Sequence, residues 1–361
     1  MSELPAMINR MASGNTSKLH HYVPQGYLRG FATDQNRISV RPLDQSRKPF
    51  ISNTRNIAAQ SHFHTLNDAL EPDGFEKNLS ELEGQAVGII RRLIDGELPI
   101  SEEDRYALSY FIALQSVRGP ETRRTIDQLQ AHIVRAEVGM GGRENVSRWV
   151  KKRLGFEPTV EQAERIWEEA TQPGGPPIKL SNRRQIEHMV NTAQEITQYI
   201  FMRPWSIVHF KRRALLASDA PVTLVPHEDE EPWMGVGFQT AWGITFPLSR
   251  RCGLLMSDPI PMIRDFSEEH VDRLRQGIIE GKADRIQAGS TALERFFNHN
   301  TIYNAREYIY FHPDDEAFVP VDLPEPELTS LKADIFSDLE FDGTPMFKDA
   351  AASNPSRSRI K

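Results

Sequence analysis

The chain has 361 residues, 39% of them hydrophobic, with a mean hydropathy of −0.50 and a formal net charge of −7. That length buries a large core without staples, the single cysteine excludes an intrachain disulfide or a multi-cysteine metal cage, and no apolar run reaches the roughly 18 residues that cross a bilayer. A pI near 5.9 argues against a general nucleic-acid or anionic-membrane coat, which needs a surplus of positive charge, and the opening residues lack the pattern of a secretory signal, so a cytoplasmic protein is expected.

Residues 1–17 read as a loose arm. The run His20-His21-Tyr22-Val23-Pro24-Gln25-Gly26-Tyr27-Leu28-Arg29-Gly30-Phe31 then sets two imidazoles, two phenols and an arginine around a proline, a composition suited to placing ionisable nitrogens at the mouth of a core. Residues 36–42 and 61–66 alternate apolar and polar, which predicts two short strands that pair and carry the motif. From Phe75 the period becomes helical, with Leu79, Leu82, Ala86, Ile89, Ile90 and Leu93 on one stripe ended by Gly96 and Pro99. Ser101 caps a second helix running to Arg118, and residues 121–140, Val146–Leu154, 159–171 and 182–202 supply four more. Past Pro204 the composition turns strand-like at 205–210, 214–217, 222–225, 244–248 and 252–256. A helix from about residue 283 to 300 or longer leads to a closing strand at 307–311. After His312 the chain is acidic and proline-containing, and 354–361 reads as a disordered tail.

The pattern is an α+β fold, a helical first half packed with a mainly antiparallel sheet from the second half and a short N-terminal β element. Charge is uneven: residues 1–60 carry eight Lys and Arg against three acids, and residues 312–349 carry eleven acids against two lysines. The acidic stretch reads as a solvated segment, with a regulatory contact to the basic start as the alternative.

Five segments stand in a recognisable order: His20-His21-Tyr22-x-Pro24-Gln25-x-Tyr27-Leu28-Arg29-x-Phe31, Phe75-Glu76-Lys77-x-Leu79-Ser80-x-x-Glu83, Ala113-x-Gln115-x-x-Arg118-x-Pro120, Ser218-Asp219-x-Pro221-Val222 and Phe246-Pro247-Leu248-Ser249. Together they resemble a widespread, mainly bacterial family catalogued as a domain of unknown function, DUF4238. The resemblance spans about residues 18–311, implies one α+β domain there and implies no particular reaction. It shows one departure: where many members carry Phe-Tyr, this chain has Phe63-His64, which either adds an imidazole near the site or swaps one aromatic for another.

Glu76 and Glu83 lie seven residues apart on one predicted helix and return to the same face. Facing His20 or His21, they make either an oxygen and nitrogen site for a divalent metal or a carboxylate–imidazole pair for acid–base work; the structural alternative is a helix-end charge and a paired surface acid. Successive residues of an extended segment point to opposite sides, so one of His20 and His21 is expected to be structural and the other to face the site. His62 and His64 share a face if their segment is extended. Arg118, with Gln115 one turn earlier, offers a fork for a phosphate or carboxylate, or ties Glu76 or Glu83 into a buried pair. Asp219 sits at a sheet end, as a functional carboxylate or as turn chemistry. Asn304 and Arg306 are further polar candidates. Cys252 reads as a buried structural thiol.

These residues suggest a metal-dependent hydrolase of a phosphate ester, of phosphodiesterase or nuclease type. In it His20, His21, Glu76, Glu83 and Asp219 would be catalytic, with His21, Glu83 and Asp219 holding a divalent metal, and Gln25, Gln115 and Arg118 binding substrate. The rivals are a non-enzymatic binding or regulatory module in which the same residues form a buried network, and a nucleic-acid-contacting protein that uses the basic first sixty residues.

Overall fold

The N-terminal motif supplies strand β1 (Leu19–His21) and a one-turn helix α1 (Gln25–Leu28), divided by Pro24. Strands β2 (Arg37–Pro42), β3 (Phe50–Asn53) and β4 (Ala59–Ser61) follow. This is a computed structural model, and it describes residues 19–66, 72–227, 235–263, 267–326 and 340–346. The arm at 1–17 and the tail at 354–361 lie outside the described residues.

Pairing differs from the expected hairpin. Strand β2 pairs with β3, whereas β1 pairs antiparallel with β4, setting His20 opposite Gln60 and His21 opposite Ala59. Residues 62–64 form a turn, because His62 takes a left-handed φ of 55° that breaks the extended run. His62 and His64 therefore do not share a strand face.

Helices α2 (Gly74–Ile94) and α3 (Glu102–Val117) come next. On α2, Leu79, Ala86, Ile89, Ile90 and Leu93 are buried along the predicted stripe. Ser101 caps α3, its hydroxyl accepting the Asp104 N–H at 3.1 Å. Arg105, Leu108, Ser109, Phe111, Ile112, Leu114 and Gln115 are all buried, so α3 is covered on several sides and brings three polar side chains into the interior.

The chain continues through α4 (Pro120–Gly141), α5 (Val146–Leu154), α6 (Val160–Thr171) and α7 (Asn182–Phe201) to strands β5 (Trp205–His209), β6 (Ala217–Ser218), β7 (Thr223–Val225), β8 (Gly243–Ser249) and β9 (Cys252–Ser257). Helices α8 (Ile260–Ile263) and α9 (Glu268–Ile279), strand β10 (Arg285–Ala288), helix α10 (Thr291–Asn304) and strand β11 (Tyr308–Phe311) complete it. The helix expected from about residue 283 is interrupted. Residues 285–288 run as a parallel strand beside β5, and at Gly289 a Cβ would meet the Phe210 ring at 2.2 Å, so α10 starts only after that close approach, capped by Ser290.

One sheet has the order β10-β5-β9-β8-β7 and a second β3-β2-β11-β6. Apart from the β10–β5 pair their ladders are antiparallel, and the second sheet joins strands from both ends of the sequence. The N-terminal motif packs on the first of these sheets: Tyr27 stacks on Phe246 and donates its hydroxyl proton to the Pro247 carbonyl at 2.8 Å. A Cβ at Gly30 would sit 3.2 Å from the Leu248 carbonyl oxygen, so the glycine permits that approach.

The chain divides into two compact units, one from residues 1–122 and 181–328, the other from 123–180 and 329–361; neither 17 nor 311 bounds them. The second has its own core of Val138, Val146, Val150, Trp167 and Ala170. Residues 340–346 of the acidic segment return to it, with Phe341 against Gly139 and the Arg143 N–H bonded to the Gly343 carbonyl at 2.9 Å. Among the described residues no helix is long and apolar enough to cross a membrane.

Candidate functional site

Four segments of the first unit bring their ionisable side chains together: β1, the turn after β4, and the facing parts of α2 and α3. His20 is fully buried, and its Nδ1 accepts the backbone N–H of His64 at 2.8 Å. That bond occupies the Nδ1 lone pair, so in the neutral ring the proton sits on Nε2, which lies 3.9 Å from Asp73 Oδ1. His64 is also fully buried, and its Nδ1 lies 2.6 Å from Glu76 Oε2. With Glu76 protonated, the state that burial favours, its O–H donates to Nδ1 and the imidazole proton sits on Nε2, so the pair can give up the shared proton and remain a carboxylate beside a neutral imidazole.

His21 takes the other side of the strand. Its ring donates to the Arg55 backbone, and its Nε2 is buried without a hydrogen-bond partner. Burial pulls its pKa below the ordinary histidine value, against the pull of Glu83 and Glu76, so the ring is neutral near pH 7 and Nε2 carries a lone pair. Of the two adjacent histidines, then, His20 is tied into the fold and His21 presents a basic nitrogen.

Arg118 caps the C-terminal end of α3 and is 1% exposed. Its Nη2 donates to the His21 carbonyl and to Glu83 Oε1, the latter at 2.8 Å. Its Nε and Nη1 have no hydrogen-bond partner, nor does either amide atom of Gln115, which is 4% exposed and lies one helical turn back on the same face. A buried polar group left unmet costs about 1–3 kcal/mol, so the end of α3 concentrates unspent hydrogen-bonding capacity on two neighbouring side chains. Burial pushes the Glu83 and Glu76 carboxyls above their ordinary range, and Arg118 opposes the shift in both. The half-buried carboxylates of Asp73, Glu76 and Glu83 mark the outer side of the cluster.

Other sequence candidates lie elsewhere. Asp219 does not join the ionisable cluster. Its carboxylate accepts the backbone N–H groups of Arg306, Glu307 and Tyr308 at 2.8, 2.7 and 3.2 Å, pinning the start of β11 to the end of β6. Burial outweighs those bonds and raises its pKa to about 6. Gln25 donates to Thr54 Oγ1 at 3.3 Å and ties α1 to the neighbouring turn. Asn304 donates to the Ala220 and Val222 carbonyls and Arg306 offers its backbone N–H to Asp219, so both hold the same corner. The Cys252 thiol is buried and pushed up to about 12, an inert group. A groove of about 650 Å³ between α7 and residues 235–240 is lined by none of the candidate residues.

The proposed ligand set of His21, Glu83 and Asp219 is not gathered. Among the described residues, the nitrogen and oxygen ligands close enough to share an ion come from His20, His64 and Glu76. The bonds there compete with a metal: His20 Nε2 holds a proton because Nδ1 faces an N–H donor, and a Glu76 oxygen is taken up by His64. The hydrogen bonding fits a proton-transfer pair better than a metal cage. Nothing in the sequence pattern points to Asp73, and for His64 the pattern leaves open an added imidazole or an aromatic swap; the structure places the imidazole on Glu76. The imidazole of Phe63-His64 was the available signal, and the turn that redirects it was not visible as alternation.

No curated protein and no solved structure matches the chain. The family model described as protein of unknown function, DUF4238, matches residues 19–315, which takes in β1, the His64 turn, the carboxylates of α2 and the Gln115–Arg118 end of α3. With that match covering most of its length, the chain belongs to the DUF4238 family.

Proposed function

We propose that this protein is a phosphodiesterase that works by acid–base chemistry. The observation that carries this reading is Arg118, a guanidinium 1% exposed with two of its three nitrogens unmet, beside the equally unmet Gln115 amide. Nε and Nη1 stand on different edges of the planar guanidinium, so each offers its own charged N–H to an anion oxygen, and the Gln115 amide adds a third donor. Next to it stands His21, whose Nε2 lone pair suits a general base, and the His64–Glu76 pair, whose shared proton suits a general acid. Burial raises the Glu76 carboxyl, and His20, Arg118 and a protonated His21 each pull it down, so anchor, base and acid stand within electrostatic reach of one another. No step in this reading requires a metal.

The test is turnover of a panel of phosphodiesters by the full chain, with and without EDTA. Activity that survives the chelator and falls by about 100-fold or more in Arg118→Lys and His21→Gln is expected. No turnover of any phosphodiester, or activity lost with EDTA and restored by a divalent ion, overturns it. The depth of Arg118 and Gln115 favours a second reading, a module that binds the same anion without chemistry. Saturable phosphate binding without turnover identifies it.

A further inference from the structure

The unmet atoms at the end of α3 and on His21 are of two kinds, and their chemistry narrows the substrate. Arg118 Nε and Nη1 and Gln115 Nε2 are donors, whereas Gln115 Oε1 and His21 Nε2 are acceptors. The phosphate of a diester carries two free oxygens and no proton. It meets the donors and leaves both acceptors unmet, at a penalty of about 1–3 kcal/mol each. A ligand that meets His21 Nε2 as well as the donors brings an O–H along with its phosphate; one hydroxyl removes one of the two penalties.

We propose that the phosphodiester this site takes bears a free hydroxyl on the carbon adjacent to the one that carries the phosphate, and that its first reaction is internal transfer of the phosphoryl group to that hydroxyl. The proposal rests on the phosphodiesterase reading and deepens it. The hydroxyl donates to His21 Nε2, and its oxygen attacks phosphorus as the proton passes to that nitrogen. A new P–O bond closes a cyclic phosphodiester. The P–O bond to the leaving alcohol breaks, its electron pair stays on that oxygen, and the oxygen takes the proton held between His64 and Glu76. One proton is gained by His21 and one lost by the His64–Glu76 pair; nothing is oxidised or reduced and no co-reactant enters.

Three features support a tethered hydroxyl over a free water as nucleophile. Arg118 and Gln115 are all but inaccessible to solvent, so a ligand that reaches them displaces water from its own phosphate. His21 is held in the tautomer that accepts, with its other nitrogen on the Arg55 backbone. A hydroxyl delivered on the substrate is already positioned, the arrangement that gives intramolecular attack its large effective molarity. Ribonucleotide and glycerol phosphodiesters both carry this chemistry.

The experiment uses the full chain in EDTA with two chromogenic esters, 2-hydroxypropyl p-nitrophenyl phosphate, which has the neighbouring hydroxyl, and bis(p-nitrophenyl) phosphate, which lacks it. Each rate is divided by the uncatalysed rate of that ester. The expected result is a rate enhancement at least about 100-fold larger for the hydroxyl ester, with a cyclic phosphate as first product by phosphorus NMR. In His21→Gln that enhancement falls by about 100-fold or more, while wild-type circular dichroism and binding of inorganic phosphate are kept. Enhancements within about threefold of each other, or an acyclic first product, overturn the proposal and leave the phosphodiesterase reading standing with water as nucleophile. If neither these esters nor diribonucleotides and glycerol phosphodiesters are cleaved, both fall.

Discussion

Helix α3 holds a buried arginine near each end, and the two are built differently. Arg105 is 1% exposed and every nitrogen has a partner: Nε the Phe201 carbonyl at 3.0 Å, Nη1 Asp284 at 2.5 Å and Nη2 the Arg203 carbonyl at 2.5 Å, with the guanidinium over the Trp205 ring at 4.2 Å. Arg118 is equally buried and only its Nη2 is engaged. Burial of a charge therefore does not mark a site. What separates the two is the number of nitrogens left over: two on Arg118, none on Arg105, and one on the similarly buried Arg203, whose Nε and Nη2 hold backbone carbonyls.

The largest effect expected from this contrast is on stability. Arg105→Met leaves the fully buried Asp284 carboxylate without its cation and lowers the unfolding free energy by about 3–5 kcal/mol in denaturant titration. Arg118→Met lowers it by less, since the Glu83 side chain is 19% exposed and reaches water when left alone, whereas the Asp284 side chain is fully buried. Equal losses in the two variants would remove the distinction.

Asp219 is a second structural group against which the site can be judged, and Asp219→Asn is expected to cost about 1–3 kcal/mol through its backbone N–H partners. Its pKa near 6 stands above the ordinary 3.8, so the folded state holds this proton more tightly than the unfolded chain. Its contribution is full below about pH 3.8 and is lost as pH rises through 6. Glu76 and Glu83 shift in the same direction. Stability followed from pH 4 to 7 should fall with rising pH through these groups, and fall less steeply in Asp219→Asn.

His20→Phe removes the acceptor for the His64 N–H, with an expected loss of about 1 kcal/mol and a larger proportional loss of turnover as the His64–Glu76 pair loses its seat. The smallest stability change belongs to Gln115→Leu. Removing an amide with no partners should leave the protein as stable as the wild type or up to about 1 kcal/mol more so, while weakening phosphate binding. A marked destabilisation would show that the amide has a structural role.

Much of this was legible in the chain. The stripe from Leu79 to Leu93, the Ser101 cap and the glycine and proline stops placed the helices well, because those signals are local. The β10 interruption was not legible, since the open edge of β5 and the ring of Phe210 are set by distant residues. In the N-terminal motif most side chains proved to be core: Tyr22, Val23, Tyr27, Leu28 and Phe31 are buried, and only His21 keeps an unmet nitrogen. The spacing of Glu76 and Glu83, and of Gln115 and Arg118, did indicate shared faces, because helical periodicity is a sequence property. Asp219 looked alike as site or turn, and only its three backbone partners decide between them. His64 joined Glu76 through a left-handed turn that an alternating pattern conceals.

The most direct test of the central claim, that Arg118 keeps its unmet nitrogens for an anion, is the melting temperature as a function of inorganic phosphate at constant ionic strength, in the wild type and in Arg118→Lys. A saturable rise that follows ligand linkage is expected in the wild type and is lost in the lysine variant, whose single ammonium cannot replace donors on two edges of a guanidinium. No saturable rise, or the same rise in both proteins, would contradict it.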